Sequence, residues 1–137
     1  MAEQNRKAIE EKYVMLQLID AQIKEFENEL GALEQRSQEL VKLKSSLDSL
    51  AKTNPGAATF ASVGLGTFAL SELKDPKHVL VNVGSGVLIK KDMESAKELI
   101  TLQLHELDKA AAHLSQNMHT LIIRAQQAET EIQELLK

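Results

Sequence analysis

The sequence predicts a mainly α protein with a small β part: a long antiparallel α-helical coiled coil with two β-hairpins inserted between its helices. Three observations carry that reading. Ala, Glu, Lys, Leu and Arg make up 67 of the 137 residues, close to the half that marks coiled coils and long helices. Apolar residues recur every three and four positions at both ends of the chain, and a glycine-containing repeat with strand-like alternation lies between them. Aromatics are only 3% (Tyr13, Phe26, Phe60 and Phe68), too few large rings to fill one thick core. The chain reads as a single elongated unit of three segments, 1–53, 54–91 and 92–137.

The first segment, 1–53, follows a heptad. Ile9, Leu16, Ile23 and Leu30 hold one seam position, and Ile19, Phe26, Leu33, Leu40 and Leu47 hold the other. At Arg36 and Ser37 the seam falters, then resumes as Leu40, Leu43, Leu47 and Leu50, which predicts a small phase change of the supercoil. The helix is expected to end at Thr53-Asn54-Pro55-Gly56, because Pro55 lacks an amide hydrogen and biases Asn54 away from helix.

The middle segment, 54–91, changes period. It holds Gly64, Gly66, Gly84 and Gly86, and Val79, Val81 and Val83 alternate with His78, Leu80 and Asn82 as in a strand. Residues Val63-Gly64-Leu65-Gly66-Thr67-Phe68-Ala69-Leu70 are echoed by Val83-Gly84-Ser85-Gly86-Val87-Leu88-Ile89-Lys90. Each copy reads as strand, tight turn, strand, with glycine supplying the positive φ that hairpin turns require. Lys74-Asp75-Pro76-Lys77 links them as a turn. Apolar residues are expected on both hairpin faces, and Leu65, Phe68, Leu70, Leu80, Leu88 and Ile89 need more cover than a helix pair provides. Uncovered faces and open edges call for further strands from other subunits.

The last segment, 92–137, repeats without exception. Met93, Ile100, Leu107, Leu114, Leu121, Ala128 and Leu135 recur every seven residues, accompanied by Leu104, Ala111, Met118, Ala125 and Ile132. Asp92 is placed to cap the helix, with Glu94 complementing the dipole in its first turn. Neither helix holds together without burying its stripe. An antiparallel intramolecular pair satisfies both, with Ile9 near Leu135 and Leu50 near Met93.

Several functions are disfavoured. The charge sums to −2 over 1–52, +2 over 53–91 and −4 over 92–137, so neither helical end offers the basic stripe of a nucleic-acid binder. The chain has no cysteine, hence no disulfide, thiolate metal site or cysteine nucleophile. No apolar run reaches membrane-spanning length and the first residues do not read as a signal peptide, so no membrane association and a cytoplasmic location are expected. Gly64-Leu65-Gly66-Thr67-Phe68-Ala69 matches a degenerate dinucleotide fingerprint, but Asp75-Pro76 follows where a helix should run, and it reads as a hairpin turn. His105, His113 and His119 are spaced by eight and six, which does not converge them on a metal. No catalytic set is placed by a strong motif, and no enzyme activity, cofactor or metal is expected.

Residues 63–92, from Val63 through both glycine turns to Asp92, followed by Met93-Glu94-Ser95-Ala96, resemble the alpha-class subunits of the prefoldin family. The beta class has one hairpin, so two hairpins favour the alpha class, and the short length is similar to archaeal members. The helices are generic coiled coil; the central segment carries the resemblance.

The resemblance implies a molecular chaperone that holds clients without ATP. Two alpha and four beta subunits would join their hairpins into a β-barrel, hang coiled coils from it, grip unfolded client proteins at the helix tips and pass them to a group II chaperonin. The subunit contact is then expected at Phe60, Val63, Leu65, Phe68, Leu70, Val79, Val81, Val83, Val87 and Ile89. Ala125 and Ala128 suggest a loosened tip that exposes Ile9, Tyr13, Leu16, Ile132, Leu135 and Leu136 to clients. The competing reading is a structural coiled-coil scaffold or adaptor that binds no client.

Overall fold

A computed structural model describes residues 2–137. Its elements run α1 (Ala2–Ala51), β1 (Ala57–Gly64), β2 (Thr67–Leu73), β3 (His78–Asn82), β4 (Leu88–Asp92) and α2 (Met93–Leu136). The two long helices and two intervening hairpins are those expected from the sequence. The chain divides into two compact units: residues up to Ser37 with Glu106–Lys137, and Gln38–His105.

In the first unit α1 and α2 run antiparallel. The Lys12 ammonium pairs with the Glu131 carboxylate, while Leu30, Leu33 and Ser37 share a groove with Leu107 and Ala111. Ile19, Leu121, Ala128 and Ile132 are buried. Ile9, Leu16, Ile23, Phe26, Leu30 and Leu33 are half-buried, as are Leu107, Ala111, Leu114, Met118, Ala125 and Leu135. Those are the heptad positions, so the period alone selected the buried stripe.

In the second unit Leu40, Leu47, Met93, Ala96 and Ile100 form the buried layer between the helices. Asp48 pairs with Lys97, and Lys44 Nζ donates to Thr101 Oγ1 at 3.1 Å. The expected phase change is absent here. Lys44 is half-buried, as is Ser37 in the first unit, each seven residues after the last, whereas Leu43 is 46% exposed. A lysine holds an apolar seam by burying its methylene stem while its charged head reaches a partner, and here that partner is the Thr101 hydroxyl. The heptad continues through polar residues instead of rotating onto Leu43.

The first helix stops where its punctuation places the end. The Thr53 amide donates to the Leu50 carbonyl at 3.0 Å, and Gly56, with φ of 83°, turns the chain so that its amide donates to Leu73 at 2.6 Å. The second helix begins at an N-cap: Asp92 Oδ1 accepts the Ser95 amide at 2.7 Å. That hydrogen bond satisfies a helix-start donor and favours the ionised acid, holding the Asp92 carboxyl below its ordinary range. The Met93 amide also donates to the Lys77 carbonyl at 3.0 Å, tying the helix start to the link between hairpins.

That link is an Asx turn. Asp75 Oδ1 accepts the Lys77 amide at 2.9 Å, and Asp75 Oδ2 lies 2.9 Å from His78 Nδ1. Both interactions, the backbone bond foremost, lower the Asp75 pKa.

The repeat in the sequence is a repeat in the backbone. β1 and β2 pair antiparallel, as do β3 and β4, in two separate two-stranded sheets. Leu65 and Gly66 have φ of 49° and 75°; Ser85 and Gly86 have 53° and 76°. Positive φ at both central residues is the signature of the type I′ turn that suits hairpin twist. Each turn is preceded by one extra residue on the first strand. Ser62 pairs with Phe68 and Gly64 with Thr67, leaving Val63 as the bulge. In the second hairpin Asn82 pairs with Leu88 while the Val83 amide donates to Val87 and the Val87 amide to Gly84.

The bulge decides what each face carries. It shifts the register so that Phe60 stands opposite Leu70, beside the Ser62–Phe68 pair, on one face. The other face of that hairpin carries Ala57, Thr59, Ala61, Ala69, Ser71 and Leu73. Large apolar side chains on both faces were expected; in the first hairpin Phe60, Phe68 and Leu70 gather on one, and the other keeps only Leu73.

Candidate functional site: an exposed hairpin face and an open pocket at the helix ends

Two surfaces gather the residues singled out by the sequence. In the second unit, Phe60, Phe68 and Leu70 share one face of the first hairpin and all are exposed, between 59% and 70%. Leu80 and Leu88 occupy the matching face of the second hairpin, through the pairs Leu80–Lys90 and Asn82–Leu88, and are also exposed. Val63, Leu65, Val83, Val87 and Ile89 are exposed as well. Val79 and Val81 are half-buried on the reverse face of the second hairpin, where Val81 stands opposite Ile89. Leu80 and Leu88 belong with the exposed set although the expected contact omitted them. Both faces of this hairpin are apolar, and Leu80 and Leu88 are among the residues expected to need cover.

Isolated surface leucines are ordinary, but five large apolar side chains gathered on two repeat-related faces are the mark of a contact surface. The two sheets also leave strand edges unpaired. Charge is sparse on the first hairpin, whose strands carry only Glu72, while the second carries His78, Lys90, Lys91 and Asp92.

In the first unit, the helix ends form an open pocket of about 490 Å³ whose lining includes Ile9, Tyr13, Leu135 and Leu136, with Arg6 and Glu10 at its polar side. Four of the six tip residues therefore meet at one surface, and Ile9 lies across from Leu135 as the antiparallel register requires. Tyr13 and Leu136 are exposed. Leu16 is half-buried, and Ile132 is 4% exposed within the pair. Ala128 is buried at 2%, and the helices close over it. In this closed state the pocket offers Ile9, Tyr13, Leu135 and Leu136, and Ile132 stays covered. Val14 and Leu18 stand one turn apart on an exposed face that the heptad leaves outside. Their spacing of four residues was readable, but they stood off the seam.

The remaining chemistry is sparse. His105, His113 and His119 are exposed on α2, and no group of three or more His, Asp or Glu side chains among the described residues converges to hold a metal. No helix among the described residues is long and apolar enough to cross a membrane.

Paired helices bracketing two type I′ hairpins, with an uncovered apolar sheet face, define a helix–hairpin protein built for association. The prefoldin subunit family model matches residues 19–137. Among relatives, the prefoldin alpha subunit of Methanobrevibacter smithii is 33% identical over 110 residues, covering 74% of this chain and 75% of the relative. That of Archaeoglobus fulgidus is 22% identical over 128 residues, 93% of each chain. Among solved structures, the filamentous PFD of Methanocaldococcus jannaschii, seen by cryo-electron microscopy, superimposes with a TM-score of 0.81 at 21% identity. That match covers 87% of this chain and 98% of the other. The chain belongs to the prefoldin family, on the alpha-subunit side that its two hairpins indicated, and it is a chaperone subunit.

Proposed function

We propose that this chain is the alpha subunit of an ATP-independent holdase, assembled through its hairpins with beta subunits as two alpha and four beta chains. The assembly captures unfolded polypeptides at the helix ends and hands them to a group II chaperonin. The observation that carries the assembly step is the uncovered face of Phe60, Phe68, Leu70, Leu80 and Leu88. Burying side chains of that size is worth about 1.5–3 kcal/mol each, on the order of 10 kcal/mol together, before association costs are subtracted. Unpaired strand edges extend that contact into a closed barrel, which removes edges altogether.

Client capture rests on the open pocket of Ile9, Tyr13, Leu135 and Leu136. It is shallow, apolar in part and flanked by Arg6 and Glu10. Such a surface binds many sequences weakly, and several copies on one assembly raise the effective affinity by about 10²–10⁴. Nucleotide has no role in such a scheme, because capture and release are set by weak multivalent contacts.

The test is co-expression with a prefoldin beta subunit, followed by the mass of the complex and its suppression of aggregation of a chemically denatured protein without nucleotide. A hexamer mass with suppression near one complex per client supports the reading. A complex that assembles but leaves aggregation unchanged makes the chain a scaffold instead.

A further inference from the structure

The seam of the first unit hollows out where Ser37 and Ala111 meet. Ser37 follows Leu30 by seven residues, and Ala111 stands between Leu104 and Met118 in the series on α2, so two small side chains fall in rows of large ones. The result is a groove of about 350 Å³. Its apolar lining is Leu30, Leu33, Leu107 and Ala111, all half-buried, and its polar lining is the exposed Glu34 and Asp108 with the half-buried Ser37.

That polar lining does not suit a helix pair left to itself. Flanking positions of coiled coils ordinarily set opposite charges against each other. Glu34 on α1 and Asp108 on α2 instead bring two negative charges to one groove from facing helices. No base lines it, and neither acid has an ion-pair partner among the described residues. Ser37 differs from its neighbours too. Ser46, Thr53, Thr101, Thr120 and Thr130 each donate a hydroxyl to the carbonyl four residues back, as helical Ser and Thr commonly do. The Ser37 hydroxyl makes no such bond. An apolar trough and three acceptor groups therefore lie together, with no donor from the chain to meet them.

A lysine side chain is the complement. Its ammonium carries three donors and no acceptor, on a flexible stem that buries readily along apolar surface while the charge stays at the edge. Ammonium-to-carboxylate hydrogen bonds are charge-assisted and about twice as strong as neutral ones. A guanidinium fork is matched to one carboxylate taken edge-on, not to acceptors on two helices.

We propose that this groove is a lysine contact for non-native clients, with the stem along Leu30, Leu33, Leu107 and Ala111 and the ammonium among Glu34, Asp108 and Ser37. This rests on the holdase reading above and gives it a client class: segments that carry lysine among apolar residues. The helix-end pocket takes the apolar side chains and the groove takes the cation.

The experiment titrates the complex with beta subunits into a fluorescently labelled, unstructured peptide of leucine and lysine in a Gly-Ser background. The second probe is the same peptide with every lysine acetylated, which keeps the stem and removes the charge. At about 0.15 M salt, where long-range attraction is screened, the lysine peptide should bind about 10-fold more tightly. Glu34→Gln with Asp108→Asn should cut that preference about threefold or more and leave the acetylated peptide unaffected. Ser37→Leu fills the trough and should cut the preference likewise while the melting temperature rises, which separates a blocked groove from a damaged fold. Glu25→Gln with Glu29→Gln removes the same charge from α1 outside the groove and should leave the preference intact. Equal affinity for the two peptides, equal losses from the two charge-removing pairs, or a preference that survives Ser37→Leu overturns the proposal. Aggregation suppression by the same complexes reports separately on the holdase reading: suppression without a lysine preference sinks only the groove.

Discussion

Leu121 and Leu102 lie on the same helix and differ chiefly in burial, 8% against 62% exposed. Replacing Leu121 by Ala removes three carbons from the closed layer of the first unit. At about 0.8 kcal/mol per buried methylene that is about 2.4 kcal/mol, and the residual cavity raises it to about 3 kcal/mol. For a chain of this size the melting temperature should fall by about 10 °C. Leu102→Ala removes the same carbons from water-exposed surface and should cost under about 0.5 kcal/mol. Far-UV circular dichroism of the isolated chain during heating measures both. Equal shifts for the two variants would refute the assignment of the seam, since the argument rests entirely on which leucine the opposite helix covers.

Further outcomes follow from other parts of the structure. Phe68→Lys, on the exposed face opposite Ser62, should prevent assembly with helical content retained, read by light scattering and circular dichroism. Ser37 faces Leu107 and Ala111 across a groove of about 350 Å³, so Ser37→Leu should raise stability by about 1 kcal/mol through added apolar burial, seen as a higher melting temperature. Asp92, whose pKa is lowered chiefly by the Ser95 amide, contributes stability that is full above the ordinary carboxylate pKa and is lost as pH falls through the lowered value. Asp92→Asn should flatten that acid limb of the melting temperature against pH while keeping a cap; an unchanged limb would place the pH dependence elsewhere.

The helices were legible because a heptad needs only the spacing of apolar residues, and Ile19, Leu121, Ala128 and Ile132 fall where it puts them. The pattern misled at Ser37 and Lys44, since a polar residue at a seam position looks like a break when the partner it meets cannot be read from the sequence. Ala96, buried at 2%, lies one residue off the heptad series that Leu104 and Ala111 continue, where Lys97 stands. The hairpin turns were announced by their glycines, but the faces were not. Moving Phe60 opposite Leu70 depends on the bulge at Val63, and simple alternation would set Phe60 opposite Ser71. The tip residues were found by their nearness to both chain ends, and the exposed Val14–Leu18 pair was passed over because it lies off the seam.

The most direct test of the account is capture of an unfolded polypeptide, without nucleotide, by the complex assembled with beta subunits. It compares the intact assembly with one lacking residues 1–10 and 131–137 of this chain and the corresponding helix ends of the beta chains. The truncation removes Ile9, Leu135 and Leu136 from the pocket and leaves the hairpins untouched. The account predicts an unchanged subunit stoichiometry and a client affinity weakened about 10²-fold or more as multivalent capture is lost. Full-strength capture by the truncated assembly would contradict it and put the client on the hairpin sheets.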